Sequence, residues 1–174
     1  MSRLDSAIRR LQAQRACLDS AAHAIHQVPG VLFELGLGNG RTYDHLRELC
    51  PTRKIFVFER QIAAHPDCVP DDAHLYLGDV LETLPRAAER FAGRVALLHA
   101  DIGTGDAARN ARLAAAIQPH LPHLIAPGGV AITDQEMPWP EAEQVALPDG
   151  VAPGRYFLYR QPDPIPSAPA RGEG

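Results

Sequence analysis

The feature that most limits what this chain can become is a series of short apolar runs, alternating with segments of helical period. The runs "VLFEL" (31–35), "KIFVFER" (54–60), "HLYLGD" (74–79), "RVALLHAD" (94–101) and "VAITD" (130–134) read as strands, and the most apolar of them as strands covered on both faces. Between them, 42–49, 80–91 and 106–117 carry helical spacing; Pro85 is expected to interrupt or restart the second. The segment 61–72 holds two prolines and is expected as a broken helix or loop. Strands alternating with helices imply a doubly wound, mostly parallel α/β sheet with right-handed crossovers, in three α/β/α layers.

Both ends depart from the alternation. Leu4, Ile8, Leu11, Leu18, Ala22 and Ile25 form one apolar stripe on a leading helix, and Ser2 with Asp5 has the form of a capping box. Pro127-Gly128-Gly129 is read as a turn into the fifth strand, and "QVALP" with "RYFLYR" as a C-terminal antiparallel hairpin. Residues 1–161 then make one domain, and 162–174, rich in proline with little to bury, a disordered tail.

Composition narrows the functional classes. A formal net charge of -4 argues against nucleic-acid and anionic-membrane partners, and Arg3, Arg9, Arg10 and Arg15 read as a solvated helix face. Cys17, Cys50 and Cys68 have neither disulfide-framework nor zinc spacing, which fits a reducing cytoplasm. No apolar run approaches the roughly 18 residues of a membrane span.

In a doubly wound sheet, ligands bind outside the carboxyl ends of the strands. Glu34, Gly36, Gly38 and Gly40 belong at the first such end. A dinucleotide signature, GxGxxG, wants a third glycine where Arg41 stands. The chain instead carries ExGxGxG, which resembles motif I of the class I S-adenosylmethionine-dependent methyltransferases. An acid ahead of the glycines suits a sulfonium and an ammonium better than a pyrophosphate.

The resemblance implies a role for each strand end. Glu34 helps hold the glycine loop and the cationic end of the cofactor. Gly36, Gly38, Asn39, Gly40, Arg41 and Thr42 surround its methionine half. Glu59 accepts the ribose hydroxyls, with Arg60 at its border. Gly78, Asp79 and Val80 form the adenine site, and Asp101 stands at the reacting centre.

The acceptor is a small molecule in this reading. "ADIGTGD" lacks the D/N-P-P-Y element of many amino methyltransferases, which favours oxygen as the methyl acceptor. Asp101, Asp134 and Gln135 resemble the ligand set of metal-dependent O-methyltransferases, which implies Mg²⁺. A metal-free variant leaves His99 as the nearest base, although a packed neutral histidine suits an apolar strand. Pro119 and Pro122 interrupt the helix that would put His120 and His123 on one face. Met137 and Trp139 suit either a lid or hairpin packing, and Tyr43 suits core packing. Aminopropyl transfer and a non-catalytic cofactor-binding module are the rival readings, and a homodimer is compatible with either.

Overall fold

The computed structural model describes residues 2–163. The tail expected over 162–174 lies outside them except for Pro162 and Asp163. The elements in chain order are α1 (Arg3–Ala24), β1 (Val31–Leu35), α2 (Arg41–Leu49), β2 (Ile55–Glu59), β3 (Leu75–Leu77), α3 (Val80–Phe91) and β4 (Val95–Ala100). They continue with α4 (Ala107–Ile117), α5 (Leu121–Leu124), β5 (Ile125–Thr133), β6 (Glu143–Val145) and β7 (Phe157–Arg160).

The strands form one sheet in the order β3-β2-β1-β4-β5-β7-β6. The first five run parallel and the β6–β7 hairpin antiparallel. Strand order reverses beside β1, and β4 enters on its other side. That reversal opens the rim at which the glycine loop and the strand-end acids gather.

Side-chain alternation sorts the core into two layers. Leu32, Leu97, Val130 and Ile132 pack with α1 and α2, while Phe33, Leu35, Leu98 and Ala131 pack with α3, α4 and α5. Glu34 and His99, paired in register across β1 and β4, fall on the α1/α2 face by the same alternation.

Three local expectations are corrected. Helix α3 runs unbroken through Pro85, from an Asp79 N-cap to Phe91. Pro85 removes one helical donor, but burial of Leu84, Ala87 and Phe91 holds the helix to the sheet on either side of it. Pro127-Gly128-Gly129 lies inside β5, not before it, and shifts the register against β4. There Gly128 takes φ +73°, its N–H donates to the Gln161 carbonyl at 3.0 Å, and Gln161 N–H donates to the Gly129 carbonyl at 2.9 Å. A bulge thus absorbs the residues that cannot pair in a regular ladder.

The third correction concerns the leading helix. Its capping box is present, with Ser2 Oγ accepting from Asp5 N at 3.0 Å and Asp5 Oδ2 accepting from Ser2 N at 3.1 Å. Of its stripe, however, only Leu18 and Ile25 are buried, beside Ala13, Gln14, Cys17 and Ala21, which the stripe did not include, whereas Leu4 is 68% and Ile8 46% exposed. The first turns of α1 are left open to solvent.

Candidate active site

The glycine loop takes its shape from backbone conformations that L side chains rarely adopt. Gly36 has φ +88°, and a Cβ there would lie 2.7 Å from Ile102 Cγ2 and 3.1 Å from the Asp101 carbonyl oxygen. Gly40, the α2 N-cap, has φ +82° and packs directly on Cys68 and Ala64, so a side chain there meets another segment. The loop is clamped between the β4 exit and the turn at 66–68.

Glu59, at the end of β2, ties this loop to the next. Its Oε2 accepts from Leu37 N at 2.8 Å and Gly38 N at 3.1 Å, and its Oε1 from Arg60 N at 2.7 Å and Gln61 N at 3.2 Å. Partial burial opposes ionisation, but the four amides outweigh it and hold the carboxyl below the usual range. Asp79 accepts from Leu81 N at 3.0 Å through Oδ1 as the cap of α3.

These groups border a cavity of about 570 Å³ at the rim of the sheet. Of the residues expected at a cofactor, Gly36, Gly38, Glu59, Arg60, Gly78, Asp79, Val80 and Asp101 line it. Glu34, Asn39, Gly40, Arg41 and Thr42 do not. Sequence reasoning missed Phe58, Leu81, Ile102, Leu113, Arg109 and Arg112 in its wall, which loop and helix packing bring there. The apolar pattern of α4 was the one available signal for Leu113.

Glu34 and His99 are both fully buried away from that cavity. His99 Nδ1 lies 2.9 Å from Glu34 Oε2, and Thr42 Oγ1 donates to Glu34 Oε1. Burial disfavours the imidazolium, but Glu34 outweighs it and raises the His99 pKa above its ordinary value. Among the described residues His99 Nε2 has no hydrogen-bond partner. The geometry therefore gives His99 a structural anchor in Glu34 and no access to the cavity where a base would act. Glu34 reaches the glycine loop through Thr42 at the start of α2.

Asp101 is held by elements far away in the chain. Its Oδ2 accepts from Gln14 Nε2 at 2.6 Å, Arg10 Nη1 at 3.3 Å and Tyr156 Oη at 3.5 Å. Burial, then the charge of Asp101, push the Tyr156 phenol above its usual range, so Tyr156 remains a donor. Asp134 lies close by, and burial followed by Asp101 raises its pKa. Its Oδ2 accepts from Gly103 N at 2.8 Å and Gln135 Nε2 at 3.2 Å.

The spacing of Asp101, Asp134 and Gln135 does bring them together, but not as a metal cage. A guanidinium and an amide N–H occupy Asp101, and Gln135 turns its donor nitrogen toward Asp134. Among the described residues no cluster of three His, Cys, Asp or Glu side chains is placed to hold a metal ion. The donor set does not fit a divalent cation, because Arg10 already supplies the positive charge there.

Several other expectations resolve into packing. Met137 and Trp139 are 5% and 3% exposed in the α3/α4 core layer, so they are core and not lid. Tyr159 Oη receives the Met137 N–H at 2.9 Å. Tyr43 is buried against α1, with the Arg47 guanidinium 5.0 Å from its ring centre.

The model of a family described as S-adenosyl-L-methionine methyltransferase matches residues 1–161. The chain belongs to that family. It is an S-adenosylmethionine-dependent methyltransferase of the class I fold. The chain is 45% identical to an S-adenosyl-L-methionine methyl transferase of Silicibacter pomeroyi, covering 92% of this chain and 99% of that one at a TM-score of 0.87. Human methyltransferase-like protein 13, solved with S-adenosylhomocysteine, shares the fold at 12% identity and a TM-score of 0.55 over 94% of this chain and 85% of its own. Podospora anserina methyltransferase PaMTH1, bound to the same product, does so at 17% identity and 0.54 over 94% and 80%. No curated protein matches the chain. No helix among the described residues is long and apolar enough to cross a membrane.

Proposed function

We propose that this methyltransferase moves the S-adenosylmethionine methyl group to an oxygen of a small-molecule acceptor. The observation that carries the cofactor site is the convergence of Glu59, Asp79 and Asp101 on one cavity at the strand ends. Asp79 faces the adenine amine, and Val80, Leu81, Ile102 and Leu113 supply its apolar contacts. Gly36, Gly38 and Gly78 let the backbone approach the ligand, with Arg60 at the ribose border. Asp101 attracts the cationic methionine end.

Glu59 takes the ribose hydroxyls. Four amides already use its lone-pair directions, so a bound ribose takes over part of that set. The segments at 37–38 and 60–61 adjust as the cofactor enters.

Transfer is an in-line displacement: an acceptor oxygen, having released its proton to solvent, bonds to the methyl carbon while the carbon–sulfur bond breaks and its electron pair stays on sulfur. The chain's task is alignment, and neither a metal nor His99 takes part. Oxygen is favoured because "ADIGTGD" lacks the amino-directed element. The three free cysteines fit a reducing cytoplasm.

Isothermal titration with S-adenosylhomocysteine is the test. Saturable binding that weakens in Asp79→Ala supports the assignment, and wild-type protein that takes up none at millimolar ligand overturns it.

A further inference from the structure

A second concavity, of about 520 Å³, lies between α1 and the loop 149–155 that leads into β7. Arg9, Arg15 and Arg155 line it, with Asp149 as the single acid and Ala13 and Val151 among its apolar members. Ala13 and Val151, 7% and 9% exposed, belong to the same core as Tyr156 and give the groove an apolar floor beneath a cationic rim.

The three arginines share a feature that Arg10 and Arg47 lack: among the described residues, none forms a salt bridge or side-chain hydrogen bond. Like charges gathered on one groove repel unless an anion sits between them. The guanidinium fork suits a carboxylate or a phosphate in two-point contact. This is a local reversal of sign in a chain of net charge -4.

The groove also adjoins the reacting centre. Ala13 and Arg155 on its wall are followed in the chain by Gln14 and Tyr156, whose side chains end on Asp101 at 2.6 Å and 3.5 Å. Asp101 in turn lines the cofactor cavity. One hydrogen-bonded screen, made of Gln14, Tyr156 and Asp101, links the segments of the groove's wall to the cavity.

The geometry points to an acceptor with an apolar body and a carboxylate or phosphate group, its anion held by Arg9, Arg15 and Arg155. The inference rests on the acceptor reading above, and it names what that acceptor carries. The anion is the handle by which the molecule is held and oriented toward the screen.

Amide NMR titrations of the full chain with inorganic phosphate, benzoate and acetate, at constant ionic strength, test it. Wild type shows saturable shifts confined to α1 and residues 149–155. R9A/R15A/R155A binds about tenfold more weakly or worse, while S-adenosylhomocysteine affinity stays within about twofold. Benzoate binding above acetate assigns a role to the apolar floor, and phosphate above both selects a phosphate-bearing acceptor. Diffuse or unsaturable shifts, or equal binding by the triple variant, overturn the proposal. Should the triple variant fail to fold, Arg155→Glu alone must abolish the shifts, and retention there is equally fatal. Loss of S-adenosylhomocysteine binding by wild type, with the groove still titrating, would sink the cofactor-site reading and leave the groove standing.

Discussion

Glu59 and Asp101 stand at two strand ends of one rim, on either side of β1, and are held in opposite ways. Glu59 is fixed by four main-chain amides from residues 37, 38, 60 and 61. Asp101 is fixed by three side chains, from Arg10, Gln14 and Tyr156. Main-chain donors exist whatever the neighbouring side chains are, so the Glu59 half of the rim is set by the fold. Side-chain donors change with substitution, so the Asp101 half can be retuned while the sheet stays intact. A third acid, Glu34, is sealed under the rim with His99 and belongs to neither half.

The largest effect should come from that sealed pair. His99→Leu leaves Glu34 buried without its partner, and urea denaturation should show a loss of about 3–5 kcal/mol. The double variant Glu34→Leu/His99→Leu should recover most of it, and if the single variant costs nothing the pair is not a structural anchor. The raised His99 pKa gives the pH sign: its contribution is complete below the ordinary value of 6.5 and is lost as pH rises through the higher folded value. Stability of the double variant should lack that alkaline decline.

Next in size is Glu59→Gln, which replaces a charged acceptor of four amides by a neutral one. S-adenosylhomocysteine affinity should fall by about 1.5–3 kcal/mol, roughly 10–100-fold by calorimetry. An unchanged affinity would break the contrast between the halves, since the preset half would then be dispensable. The depressed Glu59 pKa contributes stability above the ordinary 4.5 that disappears as pH falls through the lower folded value.

The smallest effect belongs to Arg10→Ala. Its side chain is 44% exposed, so after solvent screening the ion pair with Asp101 contributes under about 1 kcal/mol to stability. Hydrogen exchange in the first turns of α1 should nonetheless rise, because Leu4 and Ile8 give that end little burial. Unchanged exchange would mean that Arg10 does not tether the helix.

Much of the rim is legible in the sequence. Glu59, Asp79 and Asp101 end apolar runs, and a run's end can be located from periodicity alone. Arg10, Gln14 and Tyr156 were invisible because they lie 91, 87 and 55 residues from Asp101, and no local pattern encodes such a meeting. Pro85 and the Pro127-Gly128-Gly129 bulge depart from local expectation for a related reason: local propensity favours breaks, and burial against the sheet overrides it.

The sequence by itself determined the alternation of strands and helices, the glycine loop and which acids reach the rim, since all three follow from spacing along the chain. Only the tertiary structure decided that Glu34 and His99 are sealed together, that Arg10 meets Asp101, and that three arginines share one groove. Those outcomes depend on which side chains from distant segments meet and on how much water they exclude, and burial is a property of the assembled layers.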